Sequence, residues 1–341
     1  MKSLVIDRVG HSEFREVPSR EPGPGEVLVK VRHVGLCGSD LNTFSGLNPL
    51  VELPRIPGHE IGGTIAARGA DVPAGYAIGK PVVVVPYTSC GSCASCRRGR
   101  VNACEFNRTL GVQQDGGLRD FIVLPRDRLI LNEDLKPAHL ALVEPLAVGF
   151  HAVARGRVTS EDTVLVLGGG MIGVGAVLGA RARGARVLVS EVADSKHEIL
   201  KELGVDAVLN PSRSDLVAEI GKLTDGKGVD VIIEAVGLPE TFQAAVTLAP
   251  FSGRVVYVGY AKSPVSYETK FFNLKELDIL GSRNATRTDF EAVIEFLREV
   301  PEVGDLVISK TFSWDDADQA FDYWTANRDR TFKVMIDLPE A

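Results

Sequence analysis

An excess of positive charge is the first thing this sequence lacks. Lysine and arginine number 38 against 45 acidic residues, a formal net charge of −7. A nucleic-acid partner needs a basic face for its phosphates, so that class of function is set aside. Long hydrophobic runs are also missing. The longest uncharged apolar stretch, the glycine-rich GGGMIGVGAVLGA (168–180), is too short to cross a bilayer. The opening residues MKSLVIDRVG carry an acid and an arginine too early for a secretory signal. Together these absences lead to the expectation of a cytoplasmic chain with no membrane partner. Internal repeats and low-complexity tracts are missing as well. What remains is 45% apolar and 24% charged, a globular composition, in a chain long enough for two domains.

Cysteine is scarce and unevenly placed. Four of the five fall within SCGSCASCRRGRVNAC (89–104), at Cys90, Cys93, Cys96 and Cys104, and the fifth stands alone at Cys37. In a reducing compartment a C-x2-C-x2-C-x7-C pattern reads as a metal site rather than as paired disulfides. Zinc takes four thiolates in a tetrahedron, and the small residues Gly91, Ser92, Ala94 and Ser95 let a short loop wrap the ion. The other reading is a flexible loop of free or oxidised thiols. Four thiolates would close the coordination sphere, so this zinc would be structural and would leave no room for chemistry.

Residues 1–135 read as short strands and turns. EVLVKVRHVG (26–35) alternates as a half-buried strand does, KPVVVVPY (80–87) and LRDFIVLP (118–125) are further strands, and EPGPGE (21–26) and PGHEIGG (57–63) are turn-rich punctuation. Nothing there alternates with helices, so a compact all-β unit is expected. From Leu140 the texture changes. A helix across ALVEPLAVGFHAVARG precedes strands at TVLVL, RVLVSE, DAVLN, VDVIIEAVG and RVVYVGY. These are separated by helices near 171–183, 195–203, 214–224 and 239–249. Strands apolar on both faces that alternate with helices predict an α/β fold with a doubly wound parallel sheet. Past about Gly281 two helices and the strand FKVMIDL are expected to return to the first domain. The domain limits drawn from this pattern are 1–149 with 285–341, and 150–284.

Gly168, Gly170 and Gly173 form GxGxxG between the strand TVLVL and a helix, and Glu191 ends the next strand. In that context the glycines make a tight turn, a close backbone approach to a pyrophosphate and a close helix–sheet contact. The helix N-terminus offers N–H groups to the phosphates. Glu191 would accept from both adenosine ribose hydroxyls and repel a 2′-phosphate, which favours NAD over NADP. Met171, Ile172, Val236, Gly259 and Ser282 complete the expected cofactor contacts. The other reading is a glycine-rich turn that binds nothing.

Cys37 in GLCGSD (35–40), His59 and Glu60 in GHE, and Glu144 in VEP offer a thiol, an imidazole and carboxylates. Three such donors with one open position is the pattern of a catalytic zinc. Spacing alone leaves Cys37 equally readable as a small core residue and His59 as a solvated turn histidine.

CGSD, GHE, the four-cysteine loop, VEP and the glycine turn occur in the order seen in the zinc-dependent medium-chain dehydrogenases, and the resemblance covers essentially the whole chain. It is most similar to the sorbitol, threonine and sugar-acid dehydrogenases among them. The resemblance implies a GroES-like β-rich catalytic domain, a Rossmann-type NAD domain with the active site between them, and two zinc ions per chain. It implies Cys37, His59, Glu60 and Glu144 as catalytic zinc ligands, with Asp40 supporting the histidine and Ser39 relaying a proton. Cys90, Cys93, Cys96 and Cys104 would bind the structural zinc. Many relatives carry a histidine three residues after that serine. Asn42 stands there instead, and an amide cannot pass a proton at neutral pH. GVQQDGG (111–117) and GSRNAT (281–286) look most like segments of bacterial aldonate 5-dehydrogenases, which oxidise L-galactonate or L-gulonate. A guanidinium at Arg283 could grip a sugar-acid carboxylate in two parallel hydrogen bonds, or it could hold its own loop. Gln113, Gln114 and Asp115 would contact substrate hydroxyls, or form a polar turn. Polyol, threonine and butanediol oxidation remain alternatives, as does a non-catalytic NAD-binding thiol switch. Relatives imply a homodimer or homotetramer paired through YETKFFNLKELDILGS.

Overall fold

Strand Glu26–Leu36 is the spine of the first half of the fold, because every second residue of it must leave water. Val27, Val29 and Val31 are buried while Glu26, Lys30 and Arg32 alternate with them towards the surface. It pairs antiparallel with Glu60–Arg68, Phe121–Pro125 and Lys333–Asp337. The computed structural model describes residues 1–339. By internal packing the chain divides into Met1–Glu144 with Leu297–Ala341, and Pro145–Phe296.

In the first unit a seven-stranded sheet runs Ile308–Ser313, Lys333–Asp337, Glu26–Leu36, Glu60–Arg68, Pro81–Val84, Leu129–Leu131, with Phe121–Pro125 added on Glu26–Leu36. An antiparallel pair, Lys2–Arg8 with His11–Glu16, lies beside it. The core joins Leu4, Ile6, Val29, Ile61 and Leu118 to Trp314, Phe321 and Ile336. Two features differ from the sequence expectation. The unit is not all β, since Gly38–Phe44 and Pro137–Leu140 are helical. GHEIGG is not punctuation either: Glu60 opens the strand Glu60–Arg68. Glycine sits in that strand because a Cβ on Gly62 would come within 2.7 Å of Leu140 Cβ, so helix Pro137–Leu140 packs straight onto the backbone.

The second unit is a six-stranded, wholly parallel sheet ordered Ala207–Leu209, Arg186–Ser190, Thr163–Leu167, Val231–Glu234, Arg254–Tyr257, Asp278–Gly281. Val164 to Leu167, Val187 to Val189 and Val231 to Ile233 are all buried, as strands covered on both faces require. VDVIIEAVG stops early as a strand because the Glu234 carboxylate turns back to accept Val236 N–H at 2.9 Å and Gly237 N–H at 2.8 Å. Helix Arg287–Glu299 is anchored in this unit. Phe296 packs edge-on against Phe150 at 5.8 Å between centroids. At its start Asp289 reaches back to Thr286. It accepts from Thr286 N–H at 2.8 Å and Thr286 Oγ1 at 2.6 Å, and it meets His151 Nδ1 at 2.8 Å. Burial alone would raise the Asp289 carboxyl, but these bonds hold it below its usual range. Asp289→Ala is expected to cost about 2 kcal/mol of stability, read by urea denaturation, with the Asn variant recovering part of it.

Candidate metal centres and nucleotide turn

The turn between strand Glu26–Leu36 and helix Gly38–Phe44 carries the lone thiol, and its conformation is set by Asp40. One Asp40 oxygen accepts Cys37 N–H at 2.9 Å, and the other accepts Gly58 N–H at 3.2 Å and faces His59 Nδ1 at 3.8 Å. A single buried carboxylate thereby fixes the cysteine turn and the histidine segment together. Ligand atoms of Cys37, His59 and Glu60 lie within 4.8 Å of one another. His59 and Glu60 are buried, and Cys37 is half-buried. Burial alone pushes the His59 imidazole down. The charges of Asp40, Cys37 and Glu144 outweigh it and hold His59 well above its ordinary value. A buried imidazole facing so many acidic groups is a setting that favours a bound cation. The donor set, one thiol, one imidazole and carboxylate, fits zinc.

Glu144 stands next to this set. Tyr87 donates its hydroxyl to Glu144 Oε1, and both side chains are buried. Burial pushes the Glu144 carboxyl up to about 7, with His59 pulling it down and Glu60 pushing it up. Burial likewise drives the Tyr87 phenol well above its usual range, with Glu144 adding to the effect. Glu60 is gripped by Lys333, whose ammonium donates to both carboxylate oxygens and to Leu36 O. Sequence reasoning overlooked Tyr87 and Lys333. The signal for Lys333 was available, since a lysine inside the apolar strand FKVMIDL must either face water or meet an acid. Ser39 is half-buried, and its carbonyl is held by Thr43 Oγ1 at 2.9 Å and Asn48 Nδ2 at 3.3 Å. Asn42 is half-buried on the same helix.

The four-cysteine loop brings all its sulfurs within 4.8 Å of one another, and none of the chain's five cysteines is in a disulfide. Cys93, Cys96 and Cys104 are buried, and Cys90 is exposed. Backbone N–H groups point at sulfur, from Cys93 to Cys90 Sγ and from Cys90 to Cys104 Sγ, each at 3.3 Å. The N–H groups of Ser92 and Cys93 lower the Cys90 thiol to about 6, while burial and the neighbouring thiols drive Cys96 up to about 12. Four thiols so placed cannot all ionise without a cation among them, and a divalent zinc removes that conflict.

In the second unit Gly168 has φ +97°, and a Cβ on Gly173 would lie 1.9 Å from Gly168 O, so the turn is closed to larger residues. A Cβ on Gly170 would meet nothing within 4 Å, which leaves open space in front of helix Met171–Arg181. The N–H groups of Met171, Ile172 and Gly173 lie in the first turn, where no intrahelical acceptor exists. Glu191 ties the turn down, accepting Gly169 N–H at 2.7 Å and Ala193 N–H at 2.8 Å. Val236 is exposed beyond its strand, Gly259 is half-buried, and Ser282 Oγ is buried without a hydrogen-bond partner. An open cradle, unpaired helix N–H groups and an orphaned hydroxyl fit a dinucleotide. Arg283 follows Ser282 and is exposed. The GVQQDGG residues hold their own turn: Gln114 Nε2 donates to Arg108 O at 2.7 Å, Gln113 Oε1 accepts Thr109 N–H at 2.9 Å, and Asp115 pairs with Arg55 at 3.0 Å.

Comparison with known proteins agrees with this inventory. Residues 23–134 match the alcohol dehydrogenase GroES-like domain, and residues 172–299 match the zinc-binding dehydrogenase family. The chain is 33% identical over 322 residues to the L-galactonate-5-dehydrogenase of Escherichia coli K12, covering 94% of each. It is 36% identical over 295 residues to the 2-dehydro-3-deoxy-L-galactonate 5-dehydrogenase of Pseudoalteromonas atlantica, covering 85% of each. Its fold superposes with a TM-score of 0.91, at 31% identity and 99% coverage of both chains, on a short chain alcohol dehydrogenase of Escherichia coli CFT073 complexed with NADH. Among the described residues no helix is long and apolar enough to cross a membrane. The β-rich unit with its thiol–imidazole–carboxylate pocket is thus a GroES-like domain and the parallel sheet a Rossmann-type one, and the chain belongs to the zinc-type medium-chain alcohol dehydrogenase family.

Proposed function

We propose that this enzyme oxidises a secondary hydroxyl of a sugar acid, an aldonate of the L-galactonate kind, with NAD as hydride acceptor. The observation that carries the dehydrogenase reading is the convergence of Cys37, His59 and Glu60 within 4.8 Å, with Glu144 close enough to act on His59. Zinc at such a position makes a hydroxyl acidic enough to lose its proton near neutral pH, and a nicotinamide accepts the hydride. The chain's own residues do the rest. Asp40 faces His59 Nδ1 at 3.8 Å, so Nε2 is the nitrogen that would hold a metal. The Ser39 hydroxyl would take the substrate proton and pass it outward. With Asn42 next on that helix, the outer step passes to water or to a cofactor hydroxyl. Met171, Ile172 and Gly173 N–H groups would receive the pyrophosphate, and Glu191, with lone pairs left beyond its bonds to Gly169 and Ala193 N–H, would accept from the ribose.

Two relatives named as dehydrogenases of L-galactonate and 2-dehydro-3-deoxy-L-galactonate support a sugar acid, and the exposed Arg283 supplies a fork of the right chemistry for its carboxylate. Gln114, engaged with Arg108, contributes at most its amide oxygen. Strand Asp278–Gly281, paired on one side only, is the edge to which a second copy of the chain would add. The test is a substrate panel of aldonates, polyols and L-threonine with NAD and NADP. Aldonates with NAD are expected to give the highest kcat/KM. Arg283→Ala is expected to lower it for aldonates by about tenfold to a hundredfold, mainly through KM, and to leave sorbitol unchanged. Good turnover of sorbitol or threonine, with aldonate turnover indifferent to Arg283, would overturn the sugar-acid assignment.

A further inference from the structure

Strands Thr163–Leu167, Arg186–Ser190 and Ala207–Leu209 are parallel neighbours, so the loops after them leave the sheet at one edge, the edge that carries the glycine turn. The loop after Arg186–Ser190 starts at Glu191, whose carboxylate lies against that turn: a Cβ on Gly169 would come 3.0 Å from Glu191 Oε2. Ala193 N–H holds the other oxygen at 2.8 Å, and Asp194 comes next. The loop after Ala207–Leu209 is tied to this one by the Asn210 amide. Asn210 Nδ2 donates to Val192 O at 3.0 Å and to Asp194 Oδ1 at 2.9 Å. Asn210 also shapes its own turn, its side-chain oxygen accepting Ser212 N–H at 2.9 Å and its carbonyl accepting Arg213 N–H at 3.0 Å. The turn so formed sets the Arg213 guanidinium on Asp194 Oδ2. His197 Nδ1 stands 3.8 Å from Asp194 Oδ1.

We propose that Asp194 is a specificity-determining residue of the nucleotide site: it holds Arg213 on its own carboxylate and so denies a 2′-phosphate the guanidinium that would receive it. The proposal rests on the reading that Glu191 faces the adenosine ribose. Glu191 repels a 2′-phosphate, yet one carboxylate is a weak barrier when an arginine stands in the neighbouring loop, because a guanidinium pairs with phosphate in two parallel hydrogen bonds. Asp194 removes that attraction and adds a second negative charge one residue beyond the amide that holds Glu191. The pair is open to solvent, 70% at Arg213 and 44% at Asp194, so it contributes little to stability and can be broken without unfolding the loop. Without an anion at position 194 the same arginine, still carried on the Asn210 turn, can turn to a phosphate.

Direct binding tests this without turnover. Dissociation constants for NADH, NADPH and 2′,5′-ADP are measured on the purified protein by nicotinamide fluorescence and calorimetry. Asp194→Asn keeps an acceptor for Asn210 and loses the charge that holds Arg213. It is expected to bind NADPH and 2′,5′-ADP about tenfold more tightly than the parent, with NADH changed by less than about twofold. The gain should shrink with added salt, as an attraction between exposed charges does. Arg213→Ala alone is expected to match the parent for all three ligands, and the double variant Asp194→Asn/Arg213→Ala should lose most of the gain. Asp194→Ser serves in place of Asp194→Asn if the latter does not fold. An Asp194 variant with the parental ratio of NADPH to NADH affinity would overturn the proposal. So would a double variant that keeps the whole gain, or an Arg213→Ala that by itself weakens NADPH. Failure of the ribose reading looks different: Glu191→Ala would then bind NADH as the parent does.

Discussion

Cys37→Ala is expected to lose about 10³-fold or more in kcat, close to 4 kcal/mol of transition-state stabilisation, while its melting temperature stays near that of the parent. The same variant is expected to contain about one zinc per chain where the parent contains about two. Both expectations come from the position of the residue. Cys37 caps a surface-proximal helix, is half-buried, and makes its structural hydrogen bond through its backbone N–H, which alanine keeps. What alanine removes is the sulfur facing His59. Elemental analysis of purified protein, with NADH formation followed on the same sample, gives both readings. A variant that kept two zinc ions, or that turned over at the parental rate with one, would remove the thiol from the centre of this account. His59→Ala is a harsher change, because it strips Asp40 of the imidazole it faces inside a buried pocket, and is the poorer probe for that reason.

Much of this was legible in the chain itself, and the reasons differ by element. The parallel sheet announced itself through runs such as TVLVL and RVLVS, which have no polar face because helices cover both sides. The four-cysteine loop was legible because a metal site made within sixteen residues keeps all its donors in one stretch of sequence. Strand Glu60–Arg68 was hidden: its glycines look like turn residues, and they are there because helix Pro137–Leu140 presses on the backbone, a contact nearly eighty residues away that leaves no local trace. Lys333 and Tyr87 were hidden for the same reason. Each meets its partner, Glu60 or Glu144, across a long separation in sequence, and a single sequence records neither the pairing nor the burial that makes it obligatory. Gln114 shows the converse. A polar side chain in a loop reads equally as ligand or as turn, and only the coordinates show that its amide goes to Arg108 O.

Cys104→Ala is expected to separate from Cys37→Ala in every respect. Outside its sulfurs the loop 89–104 is held by two short helical turns and a few local hydrogen bonds, such as Ser95 Oγ to Arg100 O at 2.6 Å, with no apolar side chain buried beneath it. Its buried cluster consists of Cys93, Cys96 and Cys104, while Cys90, Arg97, Arg98 and Arg100 are exposed. An apolar core of three thiols cannot offset the entropy of ordering sixteen residues, so the metal must supply the difference. Cys104 is the innermost of the four, fully buried, 3.9 Å from Cys93 Sγ and accepting Cys90 N–H. Its loss leaves three thiols, an incomplete tetrahedron and a backbone donor without its acceptor. The expected result is loss of one zinc, a fall in stability of about 3 kcal/mol or roughly 6–12 °C in melting temperature, and new protease cleavage within 89–104. Molecules still folded at low temperature should keep much of their kcat, because the pocket proposed to be catalytic, with Cys37, His59 and Glu60, shares no residue with the loop. If Cys104→Ala instead kept its second zinc and its melting temperature, the loop would be a cluster of free thiols after all.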